Sequence, residues 1–379
     1  MLSPTTEEEL STAVAQASGP LRIQGGGTRG IGGPTPGEVC SVAGITGITL
    51  YEPGALTLVA AAGTPVAEIE AALAAENQRL PFEPMDHRNL LGTTGTPTIG
   101  GVVSANVSGP RRIQAGACRD SLIGVRFVDG RGTVIKNGGR VMKNVTGYDL
   151  VKLMAGAHGT LGVLSEVAFK VLPAVERVAS LHIKGLADEK AVAVLSRALG
   201  SPFEVSGAAH APRGRTGDPM TLIRLEGFAE SVSYRAARLK ELLSDAGDIT
   251  VQDDPATTAA DWTWIRNVEA FAGTEGDVWR LSVKPSDGPE AAARVGGDVV
   301  YDWGGGLVWA RVPAGTDVRP LLKGLPGHAT LVRGDSKGRA IFQPEPAPLA
   351  ALSEGLRAKF DPRGILNPGL MAQAQKADA

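Results

Sequence analysis

Gly25-Gly26-Gly27-Thr28-Arg29-Gly30-Ile31-Gly32-Gly33-Pro34-Thr35-Pro36-Gly37 is the stretch on which the choice of fold turns. It follows a short apolar segment, Leu21 to Ile23, and Gly25, Gly27 and Gly30 satisfy the G-x-G-x-x-G spacing of a dinucleotide-binding turn. That turn works only when it opens a helix, whose N-terminus then holds the pyrophosphate. Here Gly32, Gly33, Pro34, Pro36 and Gly37 forbid a helix. What remains is a long irregular loop after a strand. Its consecutive glycines let several backbone N–H groups converge on one anion with no side chain in the way.

A second element of this kind follows in Thr98-Ile99-Gly100-Gly101-Val102-Val103-Ser104-Ala105-Asn106, with small residues at the mouth of a short helix and Ser108-Gly109 continuing the pattern. Two separated anion nests suit a diphosphate better than a monophosphate. Either alone is more often only a turn; their joint occurrence, with Gly159-Thr160-Leu161-Gly162, weakens that bland reading. The whole stretch from Phe82 to Gly116 is rich in Gly, Thr, Ser, Pro and Asn, and a loop that long inside a compact domain is usually functional. Between Arg111 and Lys143 eight basic residues (Arg111, Arg112, Arg119, Arg126, Arg131, Lys136, Arg140, Lys143) face only Asp120 and Asp129. Most such runs are solvated faces, but this one could also neutralise a dinucleotide or meet an acidic partner.

The rest of the composition narrows the class. Glycine supplies 50 of 379 residues, without collagen periodicity, so tight turns or close approach to a ligand are required. Charges nearly cancel, with 38 Lys+Arg against 40 Asp+Glu, which argues against a nucleic-acid binder. Cys40 and Cys118 stand far apart, excluding a disulfide framework, an iron–sulfur cluster or a cysteine-rich zinc site within the chain. No basic and apolar leader is visible at Met1, and no apolar run approaches the ~20 residues of a membrane span. We therefore expect a cytoplasmic chain without direct membrane insertion.

Periodicity predicts a capping-box helix after Thr5-Thr6, a strand over 55–60, a helix opened by Thr64-Pro65, and a hairpin of strands 121–128 and 132–136 across Asp129-Gly130-Arg131. The alternating segment 159–172 is closed by Pro173. Beyond it strands (178–183, 221–226, 278–283, 299–301, 307–312) alternate with helices at 187–199, 230–246, 256–271 and 316–325, predicting a sheet with helices on one face. A helix at 347–360 leads into Asp361-Pro362-Arg363-Gly364-Ile365-Leu366-Asn367-Pro368-Gly369.

Taken with Arg119-Asp120-Ser121-Leu122-Ile123-Gly124 and Gly159-Thr160-Leu161-Gly162-Val163-Leu164-Ser165-Glu166-Val167, the two glycine loops resemble the FAD-binding domain of vanillyl-alcohol-oxidase-type flavoproteins. Lys143-Asn144-Val145-Thr146-Gly147-Tyr148-Asp149-Leu150-Val151-Lys152-Leu153 and the segment 361–369 are similar to the FAD-binding E subunits of bacterial glycolate oxidases. The resemblance extends over residues 20–173 and the C-terminal segment and is weak through 174–345. It implies an α+β fold: a PCMH-type FAD-binding domain of two subdomains (1–173), an α+β cap domain (174–345), a C-terminal segment packing back on the first domain (346–371) and a disordered tail (372–379).

The resemblance further implies that Gly25, Gly26, Gly27 and Thr28, with Thr98, Ile99, Gly100 and Gly101, wrap the FAD pyrophosphate. Gly109 and Gly116 would pass near the flavin, Gly159, Gly162 and Val163 would line its adenine or flavin side, and Asn367 would reach back to the cofactor. In many members a His or Cys of the glycine loops bonds covalently to the flavin. Thr28 and Arg29 stand in the first loop here, so non-covalent FAD is expected, with Cys118 and His158 as the residues that would reverse this.

Oxidising a 2-hydroxy acid needs a group that takes the hydroxyl proton, a cation for the carboxylate and a hydride acceptor. Related dehydrogenases carry a His-x-Gly-Asp-Gly-Asn-x-His metal motif; Arg333-Gly334-Asp335-Ser336-Lys337-Gly338 is the nearest approach here, without histidines, so no metal is expected and the catalytic residues stay unassigned. His182, His210 and His328 are isolated, and Trp262-Thr263-Trp264 suits core plus interface. The resemblance implies an FAD-binding subunit that oxidises glycolate to glyoxylate together with a sister FAD-linked subunit and an iron–sulfur subunit, any membrane association running through those partners. The alternatives are an autonomous FAD-dependent oxidase or dehydrogenase of a 2-hydroxy acid or sugar derivative, and a non-catalytic assembly subunit.

Overall fold

The computed structural model describes residues 1–139, 147–336 and 338–371. The expected tail disorder at 372–379, Arg140, Lys143, and the motif residues up to Thr146 lie outside that set. The glycine loop at 25–37 joins two strands that run parallel, Leu21–Gln24 and Glu38–Ser41, and no helix intervenes. Helix Glu7–Gln16 packs Leu10 and Val14 beneath this pair. Its start is the expected reciprocal cap: Glu9 N–H donates to Thr6 Oγ1 at 3.1 Å, while Glu9 Oε2 accepts from Thr5 N–H at 2.7 Å.

A five-stranded antiparallel sheet follows, in the order Ile48–Glu52, Thr57–Ala61, Val163–Lys170, Leu122–Val128, Val134–Gly138. The hairpin closes as its turn chemistry required: Asp129 Oδ1 accepts from Arg131 and Thr133 N–H, both at 2.9 Å. Helices Val66–Ala75 and Ile99–Ser104 cover this sheet through Ile69, Leu73, Ile99 and Val103, all fully buried. Pro65 is the residue preceding the first of these helices rather than its first turn.

Between 170 and 177 the chain passes to an eight-stranded antiparallel sheet, ordered Ile249–Gln252, Arg177–Lys184, Met220–Gly227, Gly207–Ala211, Asp298–Asp302, Leu307–Val312, Asp277–Val283, Gly327–Arg333. Each half places its strands in the order fourth, first, third, second from its own outer edge, and the two second strands meet where His210 faces Tyr301. The sheet is thus an internal repeat of split β-α-β units joined edge to edge. Where the first half has helix Ala229–Leu242, the second has only the 3-10 turn Pro320–Leu322. The helix expected at 316–325 is absent because Gly315, Pro320, Gly324 and Pro326 interrupt it. Strand Gly207–Ala211 escaped the sequence because Gly-Ala-Ala-His-Ala has little strand preference and is held there by burial alone.

Alternate residues of this sheet serve different cores. Ile223 and Leu225 pack under helices Asp188–Leu199 and Ala229–Leu242, whereas Leu222 and Ala209 join the core of the glycine-loop half. Helix Pro255–Arg266 lies on that second face, its Trp262 and Ile265 in the shared core, so the expectation of helices on one face fails for it.

A buried ion cluster pins the two halves together. Arg224 and Glu226 of strand Met220–Gly227 meet Arg79, Glu83 and Arg111: the Arg224 guanidinium donates to both Glu83 oxygens at 2.9 and 3.0 Å, and Arg111 donates to Glu226 at 2.8 and 2.9 Å. Arg79 adds a third donor to Glu226 at 2.8 Å. Burial alone would raise both carboxyls, but the charges of Arg224 and Arg111 outweigh it and hold both below the usual carboxylate range. Their stabilisation is therefore full above the unfolded pKa of about 4.3 and is lost as pH falls below it. Arg224→Met, which strands Glu83 without its main partner, should cost about 3–5 kcal/mol in urea unfolding at pH 7. The wild type should retain less of this advantage over the variant as the pH is lowered through 4; a pH-independent difference would contradict the clamp.

Candidate functional site

Loop 25–37, loop 94–98, the turn at 158–163 and the C-terminal segment enclose a cleft of about 400 Å³. Its two glycine loops cross backbone on backbone. A Cβ on Gly26 would lie 1.5 Å from Thr96 O, and one on Gly95 would lie 1.7 Å from Gly26 O, so neither position admits a side chain. Gly25 is similarly close to Thr98 Oγ1, at 2.5 Å.

Held in this way, the first loop leaves its amides without protein partners. Among the described residues, none of the backbone N–H groups of residues 25–32 donates a hydrogen bond. All but Gly27 and Gly30 are half-buried, where amides are nearly always paired, so the run calls for an acceptor that is not protein. Arg29 stands among them with no carboxylate partner in the described residues, its guanidinium donating only to Gly101 O. Burial pulls its pKa down to about 10, which leaves it fully charged at neutral pH. Arg29 was not singled out by the sequence, where it served only to show that no histidine occupies the loop. Its signal was a lone cation inside an otherwise neutral glycine run.

The expected residues divide into wall and support. Gly25, Gly26, Gly27, Thr28, Thr98, Gly100, Gly101, Gly159, Gly162, Val163 and Asn367 line the cleft. Ile99, Gly109 and Gly116 do not. Ile99 is fully buried in the core, and Gly109 packs against Glu83 O, 2.2 Å from where its Cβ would sit. Gly116 takes φ +83 beside Asp120 to let the chain turn. Gly100 is a special case: its amide donates 2.8 Å to Ala62 O and its missing Cβ would press on Ala62 at 2.7 Å, so its bareness serves packing. Gly101, with no neighbour nearer than Thr98 Oγ1 at 3.2 Å, has the open side.

Asn367 reaches the cleft wall, but its amide is spent on the protein. Oδ1 accepts from Ile23 N–H at 2.7 Å and Nδ2 donates to His158 O at 2.8 Å, while its own N–H donates to Leu21 O. It is a positioning residue that ties the C-terminal segment, the first strand and the turn at 158–159 together. Both histidines in the wall are neutral: burial and the Arg29 charge hold His87 down to about 3 and His158 to about 4. Cys118 lies outside the wall, fully buried, and burial pushes its thiol far above the usual range. It is not placed to bond to a ligand in the cleft.

The basic run does not form one surface. Arg111 belongs to the clamp, Arg126 pairs with Glu7 and Arg131 with Asp129. Among the described residues no group of three or more His, Cys, Asp or Glu is arranged for a metal ion. No described helix is long and apolar enough to cross a membrane.

Asn367 sits at φ +46 and makes both side-chain bonds from there. Asn367→Ala should therefore cost about 1–3 kcal/mol in chemical unfolding. Asn367→Gly, which accepts that φ freely, should not restore stability; rescue by glycine would show that backbone strain, and not the two hydrogen bonds, sets the residue.

Comparison with known proteins agrees with this geometry. Residues 1–138 match the family model described as an FAD binding domain. The chain is 35% identical to the glycolate oxidase subunit GlcE of Escherichia coli K12 over 370 residues, covering 96% of this chain and 95% of that one. It is 30% identical to a D-lactate dehydrogenase of Archaeoglobus fulgidus over 186 residues, 48% of this chain and 41% of that one. Among solved structures, an alkyldihydroxyacetonephosphate synthase superposes with TM-score 0.71 at 15% identity over 97% of this chain and 76% of that one. A chitooligosaccharide oxidase does so with TM-score 0.66 at 16% identity over 98% and 91%. These structures share the fold. With more than a third of its residues shared along nearly the full length of both chains, the protein belongs to the family of the glycolate oxidase subunit GlcE.

Proposed function

We propose that this chain is the FAD-binding subunit of a glycolate oxidase, taking part in oxidation of glycolate to glyoxylate. The observation that carries this reading is the run of unpaired amides at 25–32 around Arg29, set in a cleft whose glycine crossings keep side chains out. In a chain of this family, the group that fits such a run is the FAD pyrophosphate. When bound, FAD supplies the two-electron acceptor that no protein side chain provides.

The amides of Gly25 to Thr28 hold the pyrophosphate together with the Gly101 face of the second loop, and Arg29 neutralises it. Gly159, Gly162 and Val163 shape the wall against which the rest of the cofactor lies. Attachment is non-covalent, since the first loop offers Thr28 and Arg29 and Cys118 is buried elsewhere. That the relative is named as a subunit supports a multi-subunit assembly, in which we place a sister FAD-linked subunit and an iron–sulfur subunit. Turnover of glycolate by the isolated chain would instead favour an autonomous oxidase.

Two measurements test the cofactor site. Acid precipitation of the purified protein should release its yellow colour into the supernatant; colour kept in the pellet would mean a covalent bond and direct attention to His158 and His87. Gly101→Val should lose flavin while thermal unfolding of the apoprotein stays near wild type, because its new side chain enters the cleft. Normal flavin content in that variant would remove the second loop from the site. Gly100→Val cannot serve, since its Cβ meets Ala62 before it meets any ligand.

A further inference from the structure

Most buried or half-buried arginines of this protein have hydrogen-bond partners. Arg235 donates to Phe203 O and Glu226 O, Arg339 to Thr316 O and Asp277, and the clamp arginines to Glu83 and Glu226. Arg357 is unpartnered and stands alone, whereas Arg112 and Arg280 are unpartnered together. Among the described residues, neither guanidinium donates a hydrogen bond or forms an ion pair. Each instead lies against the same indole, 4.5 and 5.2 Å from the Trp303 ring centroid.

Three elements converge there: helix Arg112–Ala115 from the glycine-loop half, strand Asp277–Val283, and the turn Trp303–Gly305 that follows strand Asp298–Asp302. Trp303 is fixed in place. Its Nε1 donates 3.1 Å to Gly109 O across the seam, and its backbone N–H donates 2.7 Å to Asp302 Oδ1. Gly109, expected beside the flavin, thus serves as the anchor of this indole.

Two like charges on one ring repel, and both are partly desolvated. Burial, then the charge of Arg112, pulls Arg280 down to about 10, and burial, then Arg119, lowers Arg112. Asp302 is the acid nearest in influence on Arg280, but its own burial raises it to about 7, so it is only part ionised at neutral pH and does not cancel the pair. His328 lies within the electrostatic reach of both arginines, and His87 within that of Arg29 and Arg280. Neither Arg112 nor Arg280 nor Trp303 lines the cleft of the glycine loops, so the arginine pair is a place separate from it. Both arginines are half-buried and none of their guanidinium nitrogens is sealed from solvent, so an anion can reach the pair and would relieve its repulsion.

We propose that Arg112 and Arg280, held against Trp303 in the seam between the two halves, form a binding site on this chain for the carboxylate of a small 2-hydroxy or 2-oxo acid. The site rests on the reading of this chain as a flavin-binding glycolate oxidase subunit, and adds that the E-type chain itself takes the acid. Guanidinium forks match a planar carboxylate bidentately. The dinucleotide's own phosphates are served elsewhere, by Arg29 and the glycine amides.

The test uses the full-length, FAD-loaded protein, with oxalate and glycolate as probes and calorimetry and flavin absorbance as readouts. Oxalate should bind, and neutral glycolamide should bind at least about tenfold more weakly than glycolate. Arg112→Gln and Arg280→Gln should each weaken oxalate by about ten- to a hundredfold, with flavin content and far-UV circular dichroism unchanged and Arg280→Lys recovering part of the loss. Wild-type affinity in the double variant, or no oxalate binding by the FAD-loaded wild type, would overturn the proposal. So would loss of flavin from well-folded variants, which would make both arginines part of the cofactor cradle. A wild type that takes up no flavin would sink the flavin reading instead, and oxalate titration of that apoprotein would still decide the arginine site.

Discussion

Two backbones that touch with no side chain between them are the constraint on which the site depends. Gly26 and Gly95 press against one another's loops so closely that a single methyl group on either would force them apart. That contact holds the two loops together at the cleft wall, where the amides of residues 25–32 stay without protein partners. The remaining glycines are not interchangeable with these. Gly100 is bare for Ala62, Gly162 for Phe127 and Gly109 for Glu83, so a family signature rich in glycine mixes residues that meet a ligand with residues that let the scaffold close behind it.

Charge is handled in two different ways in the same molecule. In the clamp, Glu83 and Glu226 are enclosed by three guanidiniums, and the geometry is close enough to outweigh the cost of burying five charges. Elsewhere, Arg112, Arg280 and Arg29 are left without acids among the described residues. Other arginines also lack acids: Arg333 donates to carbonyls and a hydroxyl, and Arg357 has no side-chain partner among the described residues. What sets Arg29 apart is its place among the glycine-loop amides, and what sets Arg112 and Arg280 apart is that two unpartnered cations share one indole. The clamp also positions this pair, because Arg111 and Arg112 are chain neighbours and Arg224 belongs to the sheet that carries Arg280.

The sheet that carries Arg280 is the part the sequence described least well. Its strands Gly207–Ala211 and Ile249–Gln252 are too poor in β-branched and aromatic residues, or too short, to announce themselves, and its edge-to-edge duplication shows only when His210 is found opposite Tyr301. Side-chain alternation across the sheet also assigns Leu222 to one core and Ile223 to another, a division invisible without knowing what covers each face.

The sequence by itself determined that residues 25–37 could not be a Rossmann turn, because prolines and glycines deny the helix such a turn must open. It also marked the glycine clusters at 25–30, 98–101 and 159–162 as candidate anion-binding turns, because local backbone freedom is written in residue type, and residues of all three line one cleft. What tertiary structure alone decided is which of those residues face the cleft. Asn367 turned out to bind backbone, Ile99, Gly109 and Gly116 to support it, and Arg29 to enter it. The physical reason is that an amide, a guanidinium or a bare Cα acquires its role from what lies within a few ångströms, and those neighbours come from segments hundreds of residues apart.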